Sequence, residues 1–230
     1  MLTPALHAVV QRLENAALQS HRPVPSLLAV GKRQPAAAIA ALAAAGQRAF
    51  GENYVQEAVA KQAELASDPR AAGLEWHLIG HLQSNKAAVA AQAFDWVQTV
   101  DRAKLAPLLA AARPGDRPPL NVLIQVNIDD ESSKHGCRPD DAATLADAIA
   151  AQPRLALRGL MAIPAPLPEM ARRRDAFRRM KSLFDVLATR HPSFDTLSMG
   201  MSEDFELAIA EGATMVRVGT ALVGERPPRG

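Results

Sequence analysis

The chain has 230 residues, 48% of them hydrophobic and 22% charged, with a net charge of +2 at neutral pH. That length suits one α/β barrel or two small domains, and the composition is that of a packed globular chain rather than a disordered one. So small a net charge excludes an electrostatic case for nucleic acid or acidic lipid, and the lone Cys137 excludes both a disulfide framework and a cysteine zinc site.

In chain order, Thr3-Pro4 starts an expected helix over residues 4–20, with Leu6, Val9, Val10, Leu13 and Ala17 at helical spacing. No basic segment leading into an apolar core marks the start of the chain, and its Ala-rich runs are broken well short of a bilayer span, so a cytoplasmic protein is expected. A short apolar run at 27–30, closed by Gly31, reads as the first strand. It leaves Lys32 at the strand's carboxyl end, the rim where α/β folds place their chemistry. Three readings are open for that lysine: a solvated surface charge, a phosphate contact, or a nucleophilic amine. An Ala-rich helix follows over 35–45, ended by Gly46, then a strand over 49–53 and a helix over 54–66. Residues 75–81 form a third strand with a helix over 85–93, and 96–100 a fourth with a helix over 102–112. A loop over 113–119 leads into the clearest strand, 121–128.

The second half repeats the rhythm, with a helix at 140–151, a strand at 157–163 and a long helix at 169–190. A strand at 196–200, a helix at 203–211 and a strand at 215–219 complete it. Eight strand–helix alternations without a Ser/Gly linker give one domain over residues 1–230, a single TIM-type (β/α)8 barrel of the α/β class. After the eighth strand only residues 220–230 remain, ending in Pro227-Pro-Arg-Gly, too short and Pro-rich for a closing helix. The extra N-terminal helix is therefore expected to cover that part of the barrel.

In this fold phosphate groups commonly bind at the loops after strands seven and eight. The first holds Gly200 and Ser202 just before a helix, which suits either an anion or ordinary helix capping. The second holds Gly219 and Thr220, where backbone amides can approach a ligand closely. Strand parity points Arg217 into the barrel if Val216 and Val218 face the helices. A buried arginine needs an acceptor, either an inward carboxylate such as Glu52 or a ligand at the barrel mouth. Gln125 and Asn127 share an inward face of strand five and suggest the same polar site.

Six ordered motifs now carry a resemblance: Leu28-Ala-Val-Gly-Lys32, Phe50-Gly-Glu-Asn-Tyr-Val-Gln-Glu57, Trp76-His-Leu-Ile-Gly-His-Leu-Gln-Ser-Asn-Lys86, Arg158-Gly-Leu-Met161, Leu197-Ser-Met-Gly-Met-Ser-Glu-Asp204 and Val216-Arg-Val-Gly-Thr220. Together, over residues 6–224, the chain resembles the pyridoxal phosphate homeostasis proteins. The resemblance implies the barrel of the alanine racemase N-terminal domain without the racemase C-terminal β-domain. It implies pyridoxal 5′-phosphate (PLP) as cofactor, joined to Lys32 as an internal aldimine. Ser202, Gly219 and Thr220 match its phosphate-binding positions, Arg217 the residue facing the pyridine nitrogen, and Asn53 a residue lining the cofactor. Gly31 departs from the family, where serine is frequent, and is expected to loosen packing beside the lysine. The implied function is an intracellular carrier and buffer of PLP, a monomer with apo forms of PLP-dependent enzymes as candidate recipients. The alternative is a PLP-dependent amino-acid racemase.

Chemistry separates the two. A cationic neighbour such as Arg217 together with burial would lower the pKa of Lys32, and arginine can only donate to a ring nitrogen, which makes the ring a poorer electron sink, although racemases of this fold also use arginine. Racemisation also needs an acid/base on each face of the substrate carbon, and the chain's one tyrosine is Tyr54. His77 and His81 share a strand face, but no third ligand lies nearby in sequence, so they are expected to line the barrel mouth and no metal is expected. Arg172, Arg173, Arg174, Arg178, Arg179 and Lys181 read as the solvated face of the long helix. Ser132-Ser-Lys-His-Gly136 reads as a polar loop, with Lys134 a candidate to close over a ligand.

Overall fold

A computed structural model describes residues 3–131, 134–164 and 169–223. Its eight strands are β1 (Ser26–Val30), β2 (Ala49–Glu52), β3 (Glu75–Leu78), β4 (Trp96–Val100), β5 (Leu120–Gln125), β6 (Leu155–Met161), β7 (Thr196–Ser198) and β8 (Met215–Val218). They close in sequence order into a parallel barrel, β8 returning to β1 with Leu28 opposite Arg217. A TIM-type barrel was expected from the strand count, and the closed sheet is one.

Side-chain alternation divides the strands into two faces. Leu28, Ile79 and Met215 pack together inside, with Val30 and Ala49 against them, and Trp96, Leu123 and Met161 form a second interior group. Ala29, Phe50, Val122, Ile124, Val216 and Val218 face outward into the main core under the helices. Those helices are α2 (Ala36–Ala44), α3 (Val55–Leu65), α4 (Ala87–Ala93), α5 (Leu105–Ala112), α6 (Ala142–Ala150), α7 (Met170–Ala188) and α8 (Phe205–Ala210).

Helix α1 (Pro4–Gln19) begins where Thr3 accepts a hydrogen bond from Leu6 N–H at 3.3 Å. Its buried stripe of Leu6, Val9, Leu13, Ala16 and Ala17 packs on α8 and on α9 (Thr220–Val223). The leading helix thus packs beside the last two helices, in the part of the barrel where the leftover elements suggested it. A one-turn helix does follow β8, where the sequence argued against one; Pro227 and Pro228 lie outside the described residues, as do Ser132 and Ser133.

Strand five is shorter than its sequence pattern. It stops at Gln125, because Val126 and Asn127 turn to pair with the Cys137 peptide: Asn127 N–H donates to Cys137 O, and Cys137 N–H to Gln125 O, both at 2.9 Å. In β6, Gly159 has φ +150°, and a Cβ there would lie 1.8 Å from Thr196 O of β7. Only glycine lets these two strands approach. Among the described residues no helix is long and apolar enough to cross a membrane.

Candidate functional site

The carboxyl ends of the strands enclose a cavity of about 360 Å³. Lys32, Asn53, Ser202, Arg217, Gly219 and Thr220 all line it, brought from four separate strand ends. Lys32 is half-buried, two residues beyond β1. The peptide groups on either side of it are clamped. Lys61 of α3 donates from Nζ to Gly31 O, Glu52 Oε1 and Glu57 Oε1, each at 2.7 Å. Glu57 Oε1 also accepts the Arg33 N–H at 2.5 Å, and Arg33 holds a left-handed φ of 60°. Lys61 and Glu52 are both buried. Burial raises the Glu52 carboxyl from its usual 4.5 to about 7 against the opposing pull of Lys61, and its Oε2 has no hydrogen-bond partner.

Two expectations change here. Glu52 shares the outward face of β2 with Phe50, so it meets α3 rather than the barrel interior and cannot be the acceptor for Arg217. Gly31 does not loosen the packing: a Cβ at this position would lie 2.6 Å from Glu52 Oε1, so the carboxylate occupies the space a side chain would need.

Arg217 points into the barrel as its parity required, with 4% of its surface exposed. Its Nη1 donates to Ser198 O at 2.9 Å and Ser198 Oγ at 2.8 Å, and Nη2 to Ala162 O at 2.8 Å. Burial without a contacting carboxylate brings the guanidinium down to about 10. From Ser198 a chain of hydrogen bonds descends through the barrel. Ser198 Oγ donates to Gln98 Oε1 at 2.7 Å, Gln98 Nε2 to His77 Nδ1 at 2.8 Å, and His77 Nε2 to Glu75 Oε1 at 2.7 Å. Each donor finds one acceptor only if His77 is neutral with its proton on Nε2. His77 is fully buried and stacks on Trp96 at 5.1 Å, so it lies within the barrel and not at its mouth. Burial also pushes its pKa below the ordinary histidine value. His77 is therefore expected to keep the neutral Nε2–H form at pH 6, as read from ring ¹⁵N shifts; an imidazolium spectrum at that pH would contradict the chain of donors.

The cavity also contains two unsatisfied groups. Asn53 Oδ1 and Gln34 Nε2 are buried with no hydrogen-bond partner, an acceptor and a donor in one lining. Leaving such groups unpaired costs about 1–3 kcal/mol each, which a polar ligand would recover. Cations from Lys32, Arg173 and Arg217 face the same space as Glu203 and Asp204. Ser202 sits in the turn before α8 and does not cap it; Asp204 instead accepts the Met201 N–H at 2.7 Å. Gly200, at φ +93°, makes that turn possible, because a Cβ would meet Ala208 Cβ at 2.6 Å.

Comparison with known proteins assigns the architecture. The alanine racemase N-terminal domain family matches residues 5–227. The pyridoxal phosphate homeostasis protein of Escherichia coli K12 is 55% identical over 201 residues, covering 87% of this chain and 86% of that protein. The chain belongs to the pyridoxal phosphate homeostasis protein family. PipY of Synechococcus elongatus PCC7942, solved with PLP bound, superposes on this family member with a TM-score of 0.79 at 40% identity, over 94% of this chain and all of that one. Alanine racemase of Corynebacterium glutamicum shares the fold alone, at a TM-score of 0.64 and 22% identity, with 63% of its chain covered.

Within this homeostasis-family chain, three residues singled out in sequence stand away from the cavity. Gln125 donates to His135 O at 3.1 Å, and Asn127 exchanges hydrogen bonds with the Glu131 peptide, so both hold the loop after β5. Tyr54 is 56% exposed and faces a neighbouring cavity. Lys134 pairs with Glu131 at 3.0 Å and donates to Ile163 O at 3.3 Å, beside the cavity. Arg173 departs from the solvated run around it by lining the cavity, whereas Arg174 and Arg178 pair with Glu211. Gln34 was missed; its one sequence signal is that it lies two residues after Lys32 in the same turn.

Proposed function

We propose that this chain binds PLP in the 360 Å³ cavity, attached covalently through the amine of Lys32, and serves as a carrier and buffer in PLP homeostasis. The observation that carries this reading is the convergence of Lys32, Asn53, Ser202, Arg217, Gly219 and Thr220 on one cavity in a member of this family. When bound, PLP supplies an aldehyde carbon and a pyridine ring able to stabilise negative charge. Ser202, Gly219 and Thr220 hold the phosphate at the loops after β7 and β8, the latter strand being the neighbour of β1, which leads to Lys32. Arg217 remains protonated at neutral pH and presents donors to the ring nitrogen, withholding the proton an aspartate would share there. Gln34 and Asn53 find partners on the ligand's polar edge.

That electronic setting favours holding the cofactor over strong carbanion chemistry. A racemase also needs a second base, and Tyr54 lies outside the cavity lining. The carrier reading places the protein in the cytoplasm as a monomer, with apo PLP-dependent enzymes as recipients. The test is to mix the protein with PLP, reduce with borohydride, and map the modified peptide. Wild type is expected to carry the label on Lys32, and Lys32→Ala to lose both label and yellow absorbance. A label on another lysine, or one that survives in Lys32→Ala, overturns the assignment. Fast deuterium exchange at the α-carbon of alanine would favour the racemase instead.

A further inference from the structure

The rim of the barrel holds a second constellation, outside the PLP cavity. His81 lies three residues beyond β3, Asp101 immediately follows β4, and His135 lies in the loop after β5. One ligand atom from each falls within 4.8 Å of the others, and the two imidazoles stack at 3.7 Å between centroids. His77 takes no part; Asp101 and His135 come from the ends of two other strands and were invisible as local spacing. Arg102 Nη1 holds Asp101 Oδ1 at 2.5 Å, which leaves Oδ2 turned to His81 Nδ1 at 3.5 Å. Both histidines, with Tyr54, Gln83 and Lys86, line an open cavity of about 400 Å³.

We infer that His81, Asp101 and His135 form a site for a divalent transition-metal ion. Two imidazole nitrogens and one carboxylate oxygen are the donor set that zinc and its neighbours prefer, and magnesium or calcium would call for more oxygens. Tetrahedral zinc needs donors roughly 3.3 Å apart; His81 Nδ1 and Asp101 Oδ2 are already at 3.5 Å, and the remaining distances close by ring rotation. The rings lie on loops at the barrel mouth, where such rotation disturbs no core packing. Three protein ligands leave a coordination position open toward the adjoining cavity, so the site would take a water or a small anion as its fourth ligand. A bound ion would tie the loop after β5 to the ends of β3 and β4.

The test uses the full chain, stripped with chelator and dialysed against zinc, with metal content measured by elemental analysis. Cobalt titration followed by visible absorbance gives an independent reading of a low-coordinate site. Wild type is expected to bind one equivalent, and His81→Ala and His135→Ala each to lose at least tenfold in affinity with unchanged circular dichroism. Both side chains are exposed, so folding is not at stake. Absence of stoichiometric binding in wild type, or wild-type affinity in either variant, overturns the site.

Discussion

Lys61→Met is expected to destabilise the protein by about 3–5 kcal/mol, the cost of removing one member of a buried charge cluster. The substitution leaves Glu52 and the Gly31 carbonyl without their donor in a place water does not reach, and frees Glu57 from the clamp around Lys32. Urea unfolding measures it, and a loss below about 1 kcal/mol would mean that the cluster is solvated in solution. In a Glu52→Gln background the same change should cost about 1–2 kcal/mol less, since no carboxylate is stranded.

The pH dependence has a definite sign. Glu52 keeps its proton in the folded state up to about 7 but releases it near 4.5 when unfolded. Between these values the folded state binds more protons, so this group's contribution to stability is fully present below 4.5 and is lost as pH rises toward 7. Relative to Glu52→Gln, wild-type stability should decline by about 1.4 kcal/mol per pH unit within that window. Parallel profiles for the two proteins would place an ionised Glu52 in the fold throughout. Because the carboxylate is charged above the window, the Lys61→Met penalty should be larger at pH 8 than at pH 5.

Gly159→Ala should be nearly as damaging, at about 3 kcal/mol or more, for a backbone reason. The new methyl would lie 1.8 Å from Thr196 O, and the φ of +150° is closed to L-residues. Relief requires β7 to move away from β6, and β7 carries Ser198, the hydrogen-bond partner of Arg217. The variant is therefore expected to lose PLP affinity along with stability, measured by titration and urea unfolding. Full stability with full affinity would show that the strand contact yields easily.

Much of the site could be read before any fold was known. Lys32 follows a short apolar run closed by glycine that reads as a buried strand, and Arg217 alternates with Val216 and Val218, which puts it on the inward face once the valines face the helices. Gln125 and Asn127 passed the same parity test and yet serve the loop after β5. Alternation reports which face a residue is on, but not where along the strand the ladder ends. Glu52 was misplaced because a carboxylate on the helix-facing side looks improbable until Lys61, nine residues later, is known to reach it.

Local information, then, settled whatever depends on periodicity and on the conformational demands of single residues: eight strands, their helices, the direction of Arg217 and the rim position of Lys32. Closure of the sheet decided the rest, since it brings β8 beside β1 and sets strand ends far apart in sequence around one opening. The clamp beside Lys32, the hydrogen-bonded chain from Arg217 to Glu75 and the meeting of His81 with Asp101 and His135 all join residues from different strands and helices. Hydrogen bonds and ligand fields act over a few ångströms of space, and a one-dimensional pattern carries no measure of that distance.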